Sequence, residues 1–248
     1  MTPLPPPRPP PPPFLTARWS DLVLVTYDVP EEVVRRDLPA ALEPDRWEGR
    51  TYVNLVALHV GEIRVRGWRF PWLGGFAQLN LRALVRHRGE PGVLFVRQLV
   101  PNALVAVVSR LRYRQPAAVL PMTYVSARRD DAVTAEYLLD RPPRGCVIVT
   151  GSGRAAVPPA STFEHFCKER VWGFGRTRGR RLVRFRVEHP AWAVREVLAW
   201  RLLLDFSAFF GPAWRFLNDA KPVSVTFAVG SEVAVYPPTD STSTTPSP

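Results

Sequence analysis

Five polar residues in the middle of the chain carry side chains that suit an organic anion. Gln78, Asn80 and Arg82 alternate with apolar residues, so a strand would place all three on one face. Arg110 and Tyr113 are three residues apart at the end of an apolar run, so a helix would project them to the same side. Guanidinium, amide and phenol groups together favour a carboxylate or an enolate. The sequence therefore predicts a small-molecule pocket lined by these five residues.

Two alternatives to this pocket stay open. Arg82 and Arg110 are instead structural if they form ion pairs with Glu136, Glu164 or Glu169. If the pocket is catalytic, Tyr113 or Glu164 would do the acid–base work and an arginine would stabilise an oxyanion. A binding or sensing module needs only the pocket, so the sequence assigns a site but no reaction.

Other catalytic and cofactor motifs are absent from the sequence. The four histidines lie far apart, with no H-E-x-x-H motif and no pair of C-x-x-C motifs. The string TGSGRAA, which begins at Thr150, lacks the lysine of a P-loop and the glycine spacing of a dinucleotide site. We therefore expect neither a metal nor a cofactor.

Strand patterns outnumber helix patterns along the chain. Alternating or continuous apolar runs predict strands at residues 21–27, 52–65, 78–86, 92–98, 133–139, 146–150, 182–187 and 223–229. Helices are predicted at residues 30–37, 102–112, 162–170 and 192–210. Because strands and helices do not alternate regularly, the pattern indicates an antiparallel α+β domain.

The two ends of the chain differ in composition from the middle. Residues 1–13 are mostly proline, which favours an extended polyproline helix and cannot donate to a sheet. Residues 237–248 are rich in serine, threonine and proline and have too little apolar surface to offset the entropy of ordering. We expect a disordered arm, a single domain over residues 14–236, and a disordered tail.

The basic charge allows a nucleic-acid interpretation. The chain has 33 basic and 22 acidic residues; two of the 33, Lys168 and Lys221, are lysines, which leaves 31 arginines. The region around residues 176–186 adds arginines to nearby aromatics, a combination that binds single strands. However, Val183 and Phe185 alternate with Arg184 and Arg186 there, as in a half-buried hairpin with a solvated basic face. We therefore predict that nucleic acid is not a partner and keep the basic hairpin as the alternative.

The cysteine content and the hydropathy of the chain predict its cellular compartment. The two cysteines, Cys146 and Cys167, do not form a disulfide framework, and no apolar run is long enough to cross a membrane. The sequence predicts a cytoplasmic protein without a membrane partner, and it does not indicate an oligomeric state.

Two blocks of the chain resemble a known family. The first is FAQLNLRALVRHRGEPGVLF at residues 76–95, followed by a helix that ends in SRLRYRQP. The second is STFEHFCKERVWGF at residues 161–174, followed by VEHPAW. Their order and motifs resemble the uncharacterised DUF2071, or YqjF-like, family. Such domains look like distant relatives of acetoacetate decarboxylase.

This resemblance implies both a fold and a missing group. The expected fold is an antiparallel sheet curled into a partly closed barrel around a polar pocket, with a few flanking helices. Acetoacetate decarboxylases carry a lysine at the helix-to-strand corner that forms a Schiff base with the ketone. Ala117 and Ala118 occupy that corner here, and Gln78 replaces the acid of the relatives. The resemblance therefore implies a pocket for a small organic acid without Schiff-base decarboxylation.

Overall fold

The computed structural model describes residues 11–36, 38–70, 73–176 and 182–240. Within these residues no helix is long and apolar enough to cross a membrane. Most of the described chain is strand. The strands are β1 (Leu15–Val29), β2 (Glu43–Pro44), β3 (Arg46–Trp47), β4 (Arg50–Val65), β5 (Trp68–Arg69), β6 (Phe76–His87), β7 (Glu90–Val100), β8 (Ala117–Val119), β9 (Met122–Arg129), β10 (Ala132–Leu139), β11 (Gly145–Ser152), β12 (Trp172–Arg176), β13 (Leu182–Glu188), β14 (Val194–Arg195), β15 (Val197–Leu203), β16 (Ser224–Val235) and β17 (Thr239–Asp240).

Short helices connect or cover the strands. They are α1 (Glu31–Arg36), α2 (Ala103–Arg112), α3 (Phe163–Lys168), α4 (Phe206–Phe210) and a 3₁₀ segment at Pro212–Asn218. Asn102 caps α2 and Thr162 caps α3, each accepting backbone N–H groups that lack a partner inside the helix. The predicted strands all appear, as do the three predicted helices before residue 192.

The long strands form a partly closed barrel. Neighbours around it run in the order β16, β1, β4, β6, β7, β12 and β13, and the ring closes where β13 pairs with β16. That closing contact is short: Val187 lies opposite Val235, and Glu188 lies opposite Ala234. Neighbouring strands of this ring are antiparallel, except that β12 is parallel to β7. The fold is therefore a mostly antiparallel α+β domain, as the sequence pattern predicts, and a partly closed barrel with few helices, as the family resemblance implies.

A second sheet packs against one side of the barrel. Its strands run in the order β15, β11, β10 and β9. The main apolar core joins both sheets and includes the buried residues Leu55, Leu81, Tyr137, Val149 and Phe227. On β6 the residues facing this core are Leu79, Leu81, Ala83 and Val85, so the intervening residues face the barrel interior.

The predicted helix at residues 192–210 is wrong. This stretch forms β14, β15 and the separate short helix α4, which Asp205 caps. β15 pairs with β11 from Cys146 opposite Leu203 to Gly151 opposite Val197. A short apolar run fits either a strand or a helix by periodicity. The edge of β11 supplied backbone partners that decided the structure, which local sequence cannot reveal.

A short strand near the C-terminus also extends the barrel sheet. β17 pairs with β13, with Val183 opposite Asp240 and Arg184 opposite Thr239. This contact lies beyond residue 236, where the sequence places the end of the domain. Residues 1–10 and 241–248 of the predicted tails lie outside the described residues.

Candidate functional site

A cavity of about 400 Å³ occupies the barrel interior. Its wall comes from the inner faces of β1, β4, β6, β7, β12, β13 and β16, from α2, and from the chain that follows α3. The polar side chains in the wall include Gln78, Arg82, Gln98, Tyr113, Lys168 and Arg170. No aspartate or glutamate belongs to the described wall. The charged side chains in the described wall are therefore all basic.

Arg82 is a buried cation that forms no hydrogen bond or ion pair within the described residues. Arg82 lines the cavity from β6, and the residue is 9% exposed. Within the described chain, its Nε and Nη2 have no hydrogen-bond partner. Burial, and secondarily the positive charge of Arg170, lowers the pKa of Arg82 to about 10, so the guanidinium is still charged near neutral pH. A buried charge without a hydrogen-bond partner lowers the stability of the folded protein.

Arg170 differs from Arg82 because it is compensated. Its Nη1 forms an ion pair with the buried carboxylate of Asp45. Its Nε donates to the carbonyl oxygen of Phe166 at 2.8 Å, and its guanidinium lies 4.2 Å from the centre of the Phe166 ring. Arg170 is therefore held by the protein, although its Nη2 lacks a partner among the described residues.

Lys168 reaches the cavity from the last turn of α3. Its side chain is completely buried, and its Nζ forms an ion pair with Glu169. Glu169 Oε1 also accepts the backbone N–H of Trp192 at 3.1 Å. A hydrogen bond of 2.9 Å from Asn54 Nδ2 to the carbonyl of Cys167 fixes this turn against the inner face of β4. α3 therefore holds an ion-paired lysine in the cavity wall.

His189 lies beside the same ion pair. Its Nδ1 is 3.0 Å from the carbonyl oxygen of Pro190 and 3.8 Å from Glu169 Oε2. Its ring stacks on Trp192 with 3.8 Å between ring centres. Burial lowers the pKa of His189 despite the opposing effects of Pro190 and Glu169, so the imidazole is neutral near pH 7.

Two further polar groups in the wall lack partners. Among the described residues, Oε1 of Gln98 and the hydroxyl of Tyr113 form no hydrogen bond of good geometry, although Arg112 lies close enough to the hydroxyl to oppose the rise in its pKa. Burial raises the pKa of Tyr113 to about 12, so its phenol remains a hydrogen-bond donor at neutral pH. These two groups therefore join Arg82 as buried polar groups of wall residues that the described chain leaves unpaired.

The structure separates the residues that the sequence grouped together. Gln78, Arg82 and Tyr113 line the cavity. Asn80 is buried on the same strand with its Oδ1 unpaired among the described residues, but it does not reach the wall. Arg110 is exposed, and its Nε donates to the carbonyl of Ala117 at 2.6 Å outside the cavity.

Two other expectations about this region need correction. Glu164, the candidate acid, is partly exposed on α3 and lies outside the wall. An apolar run on a helix is expected to face the core, but on α2 Leu104, Val107 and Leu111 are exposed, while Ala106 and Ser109 are buried. Small side chains allow the helix to lie close to the barrel, so they take the inner face.

The helix-to-strand corner carries no amine. Ala117 and Ala118 begin β8, which pairs in parallel with β7. Neither alanine lines the cavity. Lys168, which is distant in sequence, lies in the cavity wall instead.

The wall residues that sequence reasoning missed include Gln98, Lys168, Arg170 and His189. One signal was available for Lys168. A chain with 31 arginines and two lysines keeps a lysine inside the motif FCKER, where a compact ammonium fits beside Glu169. The other three depend on how the barrel curls.

The basic hairpin is partly described. Residues 177–181 of the predicted nucleic-acid segment lie outside the described residues. Arg184 forms an ion pair of 3.1 Å with Glu90 and lies 4.6 Å from the centre of the Trp172 ring. Arg186 pairs with Glu188 at 2.6 Å. Arg184 and Arg186 therefore each contact an acidic side chain of the protein itself.

Within the described chain, no three metal-ligating side chains form a cluster.

Several solved structures share this fold. The enduracididine biosynthesis enzyme MppR with bound HEPES superimposes with a TM-score of 0.64 at 15% identity, covering 94% of this chain and 88% of MppR. MppR has also been solved in complex with pyruvate, with a TM-score of 0.62. Acetoacetate decarboxylase from Legionella pneumophila gives a TM-score of 0.62 at 13% identity, covering 97% of this chain and 94% of that enzyme. At these identities the similarity shows the fold.

Sequence comparison identifies the family. The uncharacterized protein YqjF of Bacillus subtilis (strain 168) is 25% identical over 134 residues. That match spans 50% of this chain and 55% of YqjF, about half the length of this curated relative. The model of DUF2071, an uncharacterized conserved protein family, matches residues 16–232. Because this match extends over most of the barrel, the chain belongs to the DUF2071 family.

Proposed function

We propose that the barrel cavity binds a small organic anion, a carboxylate or an enolate, through Arg82. The observation that carries this proposal is the buried guanidinium, which has two unpaired nitrogens and no acid in the described wall. An anionic ligand would supply the missing partner and offset the cost of burying the charge. Gln98 and Tyr113 would add hydrogen bonds to the same ligand. The pyruvate complex of MppR, which shares the fold, is consistent with this assignment.

Binding without imine chemistry is the function that these residues support best. Ala117 and Ala118 offer no nucleophile at the corner where the resemblance would place a lysine. An imine requires a neutral amine, and Nζ of Lys168 is engaged in an ion pair with Glu169. The proposed site therefore consists of Gln78, Arg82, Gln98 and Tyr113, with Lys168 contributing positive charge.

We further propose that the protein is cytoplasmic and folds as a single domain between its two tails. Both cysteines are free, Cys146 partly exposed and Cys167 buried. Free thiols are typical of a reducing compartment.

Native mass spectrometry of protein purified without dialysis tests the ligand proposal. Wild-type protein should retain an organic acid, or acquire one after incubation with a panel of monocarboxylates. Arg82→Met should lose it. Arg110→Met is the matched control, because Arg110 lies on the adjacent helix outside the cavity, and it should bind as wild type does. Equal retention by Arg82→Met, or no binding of any acid by wild type, would overturn the proposal.

Borohydride trapping tests the absence of imine chemistry separately. Borohydride reduces an imine to a stable amine, so wild type incubated with pyruvate or acetoacetate should gain no covalent mass. A single adduct that disappears in Lys168→Arg would show that Lys168 acts as a nucleophile.

A further inference from the structure

The two ends of the cavity differ in polarity. Lys168 and His189 both contact Glu169, and Arg170 follows Glu169 in the chain. Arg82 lies opposite Asn54, whose side chain donates to the carbonyl of Cys167, so the four cavity-lining residues Arg82, Lys168, Arg170 and His189 gather at one end. Leu73, Phe76, Leu104, Val105 and Val108 form the other end. Phe76 and Arg82 are six residues apart on β6, so these ends are separated by roughly 20 Å along the strand.

The apolar end of the cavity reaches the protein surface. Leu104 belongs to the cavity wall and is also 47% exposed, which places the opening beside α2. Phe14 lies at the same side, with its ring 6.2 Å from that of Tyr113. A ligand that enters here passes apolar side chains before its charged group meets Arg82.

From this arrangement we infer that the ligand is a monocarboxylate with a hydrophobic tail, such as a medium-chain fatty acid or an aryl-substituted acid. This inference rests on the proposed function, because it assigns the carboxylate to Arg82. The tail lies along Phe76, Val105 and Val108 toward the entrance. A short polar acid would satisfy Arg82 but leave the apolar wall uncovered.

The walls also predict which acids are rejected. A dicarboxylate would place its second charge among apolar side chains near the entrance, where desolvation is unfavourable. A neutral alcohol of the same length would leave Arg82 unpaired. The site therefore selects for one charge and one apolar end.

Isothermal titration calorimetry with matched ligands tests this selection. The series is butanoate, hexanoate, octanoate, octanedioate and octan-1-ol at fixed salt and near-neutral pH. Each buried methylene should raise affinity about fourfold, so octanoate should bind more than a hundredfold more tightly than butanoate. Octanedioate and octan-1-ol should each bind at least tenfold more weakly than octanoate.

A pair of variants locates the tail. Leu104→Asn should weaken octanoate binding several-fold and leave butanoate binding unchanged. Val107→Asn is the control, because Val107 is similarly exposed on α2 but lies outside the wall. Circular dichroism would verify that both variants fold.

The outcomes separate the two levels of the proposal. Affinity that depends on Arg82 but not on chain length would overturn the hydrophobic-tail inference and keep the anion site. If no acid of any length binds, or if octan-1-ol binds as tightly as octanoate, the anion site itself is wrong.

Discussion

The two faces of β6 differ in whether their buried side chains have suitable partners for packing or hydrogen bonding. Toward the second sheet, Leu79, Leu81 and Val85 are buried in an apolar core. Toward the barrel interior, Asn80 and Arg82 are equally inaccessible, yet each keeps a polar atom without a partner in the described chain. A packed apolar face maximises stability, whereas unpaired buried groups reduce it. The contrast indicates that the outer face contributes more to stability than the inner face does.

The largest expected loss of stability comes from the outer face. Leu81→Ala should lower the free energy of unfolding by about 2–5 kcal/mol, because Leu81 is fully buried and the change leaves a cavity. Urea unfolding measures this effect. Leu198→Ala, at a leucine that is 56% exposed, is the control and should change stability by less than about 0.5 kcal/mol. If Leu81→Ala left the free energy of unfolding unchanged, the assignment of this face to the core would be contradicted.

A smaller loss is expected from the paired cation of the interior. Lys168→Met should cost about 3 kcal/mol, because it leaves Glu169 largely buried without its ion partner. The double variant Lys168→Met with Glu169→Gln should recover much of this loss, since it removes both charges. Denaturant unfolding of the two proteins measures the difference. If the double variant is no more stable than the single one, the ion pair is not the source of the effect.

The smallest effect is expected at Tyr113, whose buried hydroxyl forms no hydrogen bond of good geometry among the described residues. Tyr113→Phe should change the free energy of unfolding by less than about 1 kcal/mol at pH 7. The folded-state pKa of Tyr113 is about 12, above its usual value of 10. Its contribution is therefore complete below pH 10 and is lost as pH rises toward 12. Between pH 10 and pH 12 the free energy of unfolding should fall less steeply for Tyr113→Phe than for wild type. Parallel curves of this free energy against pH would contradict the burial of the phenol.

Sequence patterns predicted the parts of the fold that are local. Alternation predicted β6 and the inward direction of Gln78 and Arg82, because a strand places every second side chain on the same face. Periodicity failed at residues 192–210, where pairing of β15 with the edge of β11 decided the outcome. It also failed on the face of α2, because small residues packed closely against the barrel.

The candidate site was less predictable than the sheet. Arg110 and Tyr113 are near in sequence, but only Tyr113 reaches the cavity. Lys168 and Arg170 reach it from a segment more than eighty residues after β6, through the closure of the barrel. Spacing along the chain carries no information about such contacts.

The stability of Arg82→Met with and without octanoate tests the central claim most directly. Methionine removes the unpaired charge while keeping a long side chain, so the free energy of unfolding without ligand should be unchanged or raised by up to about 4 kcal/mol. Octanoate should stabilise wild type, because it binds only the folded protein, and should not stabilise the variant. A variant that loses several kcal/mol, together with a wild type that no carboxylate stabilises, would contradict the account and make Arg82 a structural residue.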